Sequence, residues 1–424
     1  MPLTGLMDRL DDTLPLAARP YGLLPARARE LGGDVFETRL LLQKTTCMTG
    51  ADAARLFYDQ DLFVRAGAAP RRLRLTLFGE GGVQALDGER HRARKRLFMS
   101  LMTPDARDEL RDISARLWRE AIERWRGRRQ VVLYDEVSEL LCEAACAWTG
   151  VPVTVRQLPA VTGLLTALIE APAAVGPRYL RGRAARRLAD RWAAAHITRA
   201  RGRPGQGRAL DEIAAYRDTD GRLLPPDVAG VELLNVLRPT VAVARFAVFS
   251  AMALHGNPQW RHRLAAEDDP EPLEAFVQEV RRFYPFFPMV AARAARDFAW
   301  RGHRFPKGRR VLLDLHGTNH DPRLWERPEQ FRPERFAGRD PDPYAMIPQG
   351  GGDHYEGHRC PGEWITEDLM KTSVTALTRW MSYSVPAQDL RISPRRAPAI
   401  PNSRFVITQV AEPAPSVQKV HRVR

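Results

Sequence analysis

Apolar residues recur at helical spacing along most of the chain. One predicted helix follows Thr103, a residue type common at helix N-caps, with Pro104 at its first position. Its apolar positions continue near helical spacing, at Leu110, Ile113, Leu117 and Ile122. Residues 134–148 show a similar apolar face, and residues 226–254 form the longest apolar helical segment. These patterns predict a mainly helical protein.

Runs with strand-like character are fewer and shorter. They are found at Val131–Leu133, at Phe298–Trp300 with Arg304–Phe305, and at Arg310–Leu313. No internal repeat and no break in composition divides the chain, so one large domain is expected over residues 1–411. Residues 412–424 are expected to form a loose basic tail. The predicted fold class is therefore mainly α with small β-sheets.

The net charge of +14 arises from 65 Lys and Arg against 51 Asp and Glu. These basic residues are scattered rather than gathered in one run, which argues against nucleic-acid binding. No transmembrane segment is expected, and the N-terminus lacks the apolar core of a signal peptide. Four cysteines are too few for a disulfide framework, and Cys142 and Cys146 are expected to pack inside a helix. The sequence thus predicts a cytoplasmic protein.

A glycine-rich segment before Cys360 is the most informative part of the sequence. Residues 346–364 read Met-Ile-Pro-Gln-Gly-Gly-Gly-Asp-His-Tyr-Glu-Gly-His-Arg-Cys-Pro-Gly-Glu-Trp. The glycines permit a tight turn and a close approach to a flat ligand. Pro361 stands where a helix can begin, and a helix N-terminus stabilises a thiolate. Cys360 is therefore a candidate metal ligand, the axial ligand of haem iron, where a thiolate favours O–O cleavage.

Two other interpretations of Cys360 stay open on the residues alone. The first is a buried structural thiol, which behaves as a small apolar side chain. The second is a zinc site formed with His354 and His358. The spacing of these three residues fits no common zinc motif, and a fourth ligand is not nearby in the sequence.

The cysteine segment resembles the haem-binding signature of the cytochrome P450 superfamily. Upstream, Glu279-Val-Arg-Arg282 is similar to that superfamily's Glu-x-x-Arg motif, and Arg335 follows in Phe-Arg-Pro-Glu-Arg-Phe. A Glu and an Arg three residues apart share a helix face, and a buried pair needs further hydrogen bonds, which Arg335 can supply. The resemblance covers about residues 56 to 407. It implies the cytochrome P450 fold and heme b (iron protoporphyrin IX) bound through Cys360.

The longest apolar helix carries a charge among its apolar residues. The order Asn235-Val-Leu-Arg238-Pro239 places a guanidinium inside it, and Pro239 removes a backbone donor and is expected to bend the helix there. A buried guanidinium is costly unless an anion meets it. That anion is either an internal acid or the carboxylate of a substrate, for which the donor fork of arginine is suited.

Arg238 and Pro239 stand in place of the acid–alcohol pair of most cytochrome P450 monooxygenases. This pair resembles the one at the same place in the fatty-acid peroxygenase branch of the superfamily, and the sequence of residues 77–103 is also similar to that branch. The resemblance implies that hydrogen peroxide is the co-substrate, that the substrate is a medium- or long-chain fatty acid, and that no obligatory redox partner is needed. The carboxylate held by Arg238 then acts as the general acid–base. The expected products are α- or β-hydroxy acids, or a terminal alkene after decarboxylation.

The resemblance also assigns roles around the substrate. Gln84 influences the choice between hydroxylation and decarboxylation, and hydroxylation is expected because glutamine cannot donate a proton as imidazolium can. Phe78 and Phe287 are expected to line the substrate channel, with simple core packing as the alternative for Phe78.

Three further residues are expected to contact the haem propionates. They are Arg65, His91 and Lys95, of which the last two are four residues apart and share a helix face. The alternative for each of these residues is an ordinary surface charge.

Two other functions stay open from the sequence. A conventional monooxygenase fed by a redox partner fits the basic composition, but it lacks the acid–alcohol pair. A non-catalytic haem-binding or sensor protein is the second alternative. Turnover with peroxide in the absence of a reductase distinguishes the three.

Overall fold

The chain folds mainly into helices over the part described by the computed structural model, residues 11–172, 174 and 176–413. The helices are α1 Thr13–Ala18, α2 Leu23–Leu31, α3 Ala51–Phe57, α4 Arg71–Leu73, α5 Gly88–Ser100, α6 Pro104–Trp125, α7 Leu133–Thr149, α8 Leu158–Glu170, α9 Pro177–Arg201, α10 Ala209–Ala215, α11 Pro226–Ala242, α12 Ala244–Gly256, α13 Pro258–Ala266, α14 Pro270–Phe283, α15 Leu315–Asn319 and α16 Glu363–Thr375. Short π-helical turns follow α4 at Arg74–Phe78 and α16 at Ala376–Trp380. The expected basic tail lies outside the described residues from position 414 onward.

Three small sheets accompany the helices. The strands are β1 Val35–Leu40, β2 Gln43–Met48, β3 Phe63–Val64, β4 Val131–Val132, β5 Met289–Ala294, β6 Phe298–Trp300, β7 His303–Phe305, β8 Arg310–Asp314, β9 Ser382–Ser384 and β10 Val406–Ala411. The largest sheet has the order β1-β2-β8-β5-β3, and its β2–β8 pair is parallel. The predicted strands at β4, β6, β7 and β8 are confirmed, and Leu133 instead begins α7.

The predicted helix starts agree with the structure. Thr103 caps α6, and its hydroxyl accepts a hydrogen bond of 3.3 Å from the Ala106 N–H. The predicted helix over 134–148 is α7, one residue longer at each end. The main core lies between these helices, α11, α12 and α16, and its largest apolar side chains are fully buried: Trp118, Trp125, Phe246, Phe249 and Phe276.

The long apolar segment forms two helices that meet at Val243. Pro239 lies inside α11, which continues through it and ends at Ala242, and the predicted bend at Pro239 stays a prediction. The Thr240 hydroxyl donates to the Val236 carbonyl at 2.9 Å, and the Val243 N–H bonds the Thr240 carbonyl at 3.2 Å. The break between α11 and α12 therefore lies at Val243, about one turn after Pro239.

By length and composition, Pro226–Gly256 is apolar enough to cross a membrane, which the sequence analysis did not foresee. However, 89 % of its most apolar window is buried inside the protein, as in a core helix that is apolar on all sides. Helix α11 also packs closely on α9, since a Cβ at Gly230 would lie 2.8 Å from the Ala194 nitrogen. Two charged residues of α11, Glu232 and Arg238, are buried inside the protein.

Candidate active site

The loop before Cys360 is held in one shape by its glycines and by a backbone hydrogen bond. Gly350 and Gly352 have φ of 94° and 79°, in the left-handed region that favours glycine. The Cys360 N–H donates to the Gln349 carbonyl at 3.1 Å, and the Gln349 side-chain amide lies 3.8 Å from the Cys360 Sγ. Helix α16 begins at Glu363, directly after this loop, as the sequence predicted.

Burial decides the protonation of the Cys360 thiol. Desolvation raises the pKa of Cys360 most, and the Glu363 carboxylate raises it further. Lys95, the Gly362 N–H and the Gln349 amide act in the opposite direction. The Gly362 N–H thus acts in the direction expected of a helix N-terminus, but burial has the larger effect on the pKa of Cys360. A metal ion bound to the sulfur would stabilise the thiolate, because a coordinating thiol is deprotonated outright.

A cluster of basic side chains surrounds the cysteine loop. The His91 ring, on α5, stacks on the ring of His358 with centroids 3.8 Å apart. Lys95, one turn later, donates to the Arg359 carbonyl. The Arg65 backbone N–H bonds the Asp87 carboxylate at 2.7 Å, and that carboxylate lies 3.7 Å from the His358 ring nitrogen. The structure thus brings the three predicted propionate contacts to the same loop.

This cluster is short of anions. Burial lowers the pKa of Lys95 to about 8 and the pKa of His91 to about 3, so the positive charge of each is costly as the protein stands. The His91 Nδ1 is buried and has no hydrogen-bond partner among the described residues. Two propionates would compensate the buried positive charge and would accept a hydrogen bond from the His91 ring. The residues present therefore fit haem. The individual contacts of Arg65, His91 and Lys95 with propionates stay predictions.

The zinc hypothesis finds no support in the structure. Among the described residues, no group of three His, Cys, Asp or Glu side chains is arranged to hold a metal ion. The His354 ring stacks instead on Trp364, with centroids 4.2 Å apart and an interplanar angle of 14°. His358 is engaged with His91 and Asp87.

Arg238 lies on α11 and is only 5 % exposed. Its guanidinium donates to the Leu77 carbonyl and, at 3.2 Å, to the Asn235 side-chain oxygen. Within the described part of the chain, no carboxylate lies within 4.0 Å of this guanidinium, which contradicts the internal ion-pair hypothesis. Burial lowers the pKa of Arg238 to about 9, and the neighbouring Arg186 contributes to this. The side chain is still cationic at neutral pH.

Gln84 is connected to Arg238 through Asn235. The Asn235 amide donates to the Gln84 side-chain oxygen at 3.2 Å and to Glu232 at 2.8 Å. Arg94, on α5, meets the other Glu232 oxygen at 2.5 Å. Glu232 and Asn235 are site residues that were not predicted from the sequence. Glu232, Asn235 and Arg238 follow one another at intervals of three residues along α11, so successive members are neighbours on the helix surface, which was a usable signal.

The two predicted channel residues lie on different elements. Phe78 ends the π-helical turn beside Leu77 and is partly buried. Phe287, before β5, is also partly buried, and its ring lies 4.6 Å from that of Phe286. The position of Phe78, next to the carbonyl that Arg238 binds, is consistent with a place beside the substrate.

A buried ion triad fixes the helix α14 beneath this region. Glu279 accepts two hydrogen bonds from Arg282, at 2.7 and 2.8 Å, and Arg335 approaches the same carboxylate at 3.1 Å. Arg282 also donates to the Asn319 carbonyl at 2.9 Å. The predicted grouping of these three charged residues is confirmed.

The thiol of Cys360, with basic groups that require anions, defines a haem-thiolate protein. The family profile described as Cytochrome P450 matches residues 271–403. A variant of cytochrome P450SP alpha (CYP152B1) is 48 % identical with a TM-score of 0.93, and the match covers 96 % of this chain and 100 % of that one. Cytochrome P450EX alpha (CYP152N1), solved with myristic acid, is 42 % identical with a TM-score of 0.92 over 95 % and 98 % of the two chains. Ligand-free cytochrome P450 OleT is 34 % identical with a TM-score of 0.92 over 96 % and 98 %.

The chain therefore belongs to the cytochrome P450 superfamily, in the CYP152 branch of fatty-acid peroxygenases. Membership of this family implies haem as the cofactor.

Proposed function

We propose that this protein uses hydrogen peroxide to hydroxylate medium- or long-chain fatty acids at the α or β carbon, in the cytoplasm and without a redox partner. The observation that carries the proposal is Arg238, a buried cation with no carboxylate partner among the described residues. Such a charge is costly unless an anion arrives with the ligand. The myristic acid bound in the structure of cytochrome P450EX alpha is a ligand of this kind.

When the fatty acid binds, the guanidinium of Arg238 exchanges its hydrogen-bond acceptors within the protein for the carboxylate of the substrate. In the protein as described, Arg238 donates to the neutral oxygens of Leu77 and Asn235. A carboxylate is a stronger acceptor, and it can take two parallel hydrogen bonds from the guanidinium fork. The alkyl chain then extends from this fixed point past Phe78 and Phe287. Holding the acid by its head limits which carbons reach the reacting centre.

The substrate also supplies the acid–base group. Glu232, a buried acid on α11, is already bonded to Arg94 and Asn235. The fatty-acid carboxylate on Arg238 is free to accept and return a proton of the peroxide. Haem held by Cys360 supplies the oxidising chemistry, for which a thiolate ligand favours O–O cleavage. Arg238 and Pro239 thus take the place of a proton-relay pair.

The test is product analysis after purified protein is mixed with myristic acid and hydrogen peroxide, with no reductase present. We expect rapid formation of hydroxymyristic acid, with tridecene as a minor product. Product that forms only with a redox partner and reduced nicotinamide would instead establish a conventional monooxygenase. Haem absorption without turnover under either condition would establish a binding or sensor protein.

Gln84→His is expected to shift the products towards the terminal alkene by roughly fivefold, because a histidine beside Asn235 can donate a proton as imidazolium. The measurement is the ratio of tridecene to hydroxymyristic acid by gas chromatography. Gln84→Met, which has a similar volume and no N–H, is the matched control and should leave the ratio near that of the wild type. An unchanged ratio in Gln84→His would remove Gln84 from the determinants of the product.

A further inference from the structure

Arg186 is a second buried arginine at the Arg238 site. It lies on α9, and its side chain is only 4 % exposed. Its Nη1 donates to the Leu77 carbonyl at 3.2 Å, the same oxygen that accepts from Arg238. Two guanidinium groups from two different helices thus share a single neutral acceptor.

The loop is built to let Arg186 approach. Gly79, two residues after Leu77, has φ of 82°, which favours glycine. A Cβ at Gly79 would lie 2.8 Å from the guanidinium carbon of Arg186 and 2.9 Å from a methyl of Val231. Any other residue at this position would displace the Arg186 side chain. The turn that carries Phe78 is therefore matched to Arg186 as well as to Arg238.

Anions near Arg186 are scarce. Its ion-pair partner is Asp190, one turn later on α9 and 36 % exposed to solvent. The Nε atom of Arg186 is buried and has no hydrogen-bond partner among the described residues, and its Nη2 atom faces the Asp190 carboxylate. The Glu232 carboxylate already accepts hydrogen bonds from Arg94 and Asn235. Among the described residues, the two buried guanidinium groups of Arg186 and Arg238 therefore have one carboxylate partner between them, Asp190, and otherwise donate to neutral oxygens.

We propose that Arg186 is a positioning residue for the substrate carboxylate, an inference that rests on the proposed function. When Arg238 turns from the Leu77 carbonyl to the carboxylate, Arg186 keeps that carbonyl bonded. The turn with Phe78 then stays in place beside the substrate. Arg186 also adds a second positive charge that attracts the carboxylate into the site. Helix α9 thereby contributes to substrate recognition together with α11.

The first measurement is the affinity for myristate by calorimetry, which needs no peroxide and no turnover. We expect Arg186→Met to weaken binding about tenfold, and Arg186→Lys, which keeps the charge, to stay within about threefold of the wild type. Arg187→Met removes an exposed arginine from the next position on α9 and is the matched control, with unchanged affinity expected. For turnover with peroxide, KM should rise in Arg186→Met more than kcat falls, and the α:β product ratio should change.

Asp190→Asn separates this role from a merely structural one. Removing the partner of Arg186 leaves more of its positive charge for the substrate, so myristate should bind about twofold more tightly. A structural role predicts weaker binding in both Asp190→Asn and Arg186→Met, and that result would overturn the proposal. Wild-type affinity in a folded Arg186→Met would overturn it too. If Arg186→Met does not fold, Arg186→Lys and Asp190→Asn decide the question.

The outcome for Arg186 is distinguishable from that for the proposed function. Myristate binding that weakens in Arg186→Met supports the positioning role even if no product forms with peroxide. Absence of product in the wild type, with binding intact, contradicts the peroxygenase function alone.

Discussion

Arg238→Leu is expected to lower kcat/KM for peroxide-driven hydroxylation of myristic acid by about 10²- to 10³-fold. Loss of a buried, charge-assisted partner of a carboxylate corresponds to about 3–4 kcal/mol, and each 1.36 kcal/mol is a factor of ten in rate. The effect is large because the same contact binds the substrate and holds the group that transfers the proton. Steady-state kinetics with myristic acid and peroxide give the measurement.

The matched comparison for Arg238→Leu is a substrate without a carboxylate. The wild type should strongly prefer myristic acid over 1-tetradecanol, because the alcohol offers neither a charge for Arg238 nor an acid–base group. In Arg238→Leu, this preference should fall towards unity, with both substrates oxidised slowly. A variant that still discriminates between the two would show that another residue recognises the carboxylate. The haem absorption spectrum should be retained, since Arg238 makes no contact with the cysteine loop among its hydrogen bonds.

Glu279→Ala is expected to destabilise the protein by about 3–5 kcal/mol, the usual cost of leaving a buried charge without its partner. Glu279 and Arg282 are both fully buried, and removing the carboxylate leaves Arg282 uncompensated. The same carboxylate also accepts the Arg332 N–H at 2.8 Å, so the segment that leads towards the cysteine loop loses an anchor as well. Urea unfolding followed by tryptophan fluorescence measures the change in the free energy of unfolding.

Glu89→Ala is the matched control for Glu279→Ala. Glu89 also pairs with two arginines, Arg92 and Arg96, but its side chain is 58 % exposed. Exposed ion pairs contribute little to stability because solvent screens them, so this variant should unfold almost as the wild type does. Equal stability of Glu279→Ala and Glu89→Ala would mean that the buried triad is structurally dispensable.

Residues that break a pattern were predictable from the sequence. Arg238 stands out because it is a charge in an apolar helix, and Cys360 because glycines and a proline surround it. The strands β6 and β8 were visible as short apolar runs between turns. By contrast, β2 reads Gln-Lys-Thr-Thr-Cys-Met and lacks regular alternation, so its pairing with β1 and β8 depends on contacts distant in sequence.

Arg186 could not be singled out from the sequence. Helix α9 carries eight arginines, and nothing in their spacing says which one is buried. Arg186 is buried because α9 packs against α11 and against the turn at residues 77–79. This tertiary packing cannot be read from the pattern of residues along the sequence. Likewise, the burial that raises the pKa of Cys360 is a result of tertiary packing, which the local sequence does not contain. Local sequence patterns therefore predicted the kind of chemistry at the site but not all of the residues that form it.

The engagement of Arg238 by Leu77 and Asn235 has a consequence for how the enzyme tolerates its own oxidant. In the resting protein these contacts occupy the guanidinium, and the buried acid on the same helix, Glu232, is held by Arg94. Peroxide that enters ahead of a fatty acid therefore meets no free carboxylate on this part of α11 to move its proton. Under the proposed function, activation of peroxide would therefore wait for the fatty acid, and this would limit oxidation of the protein between turnovers.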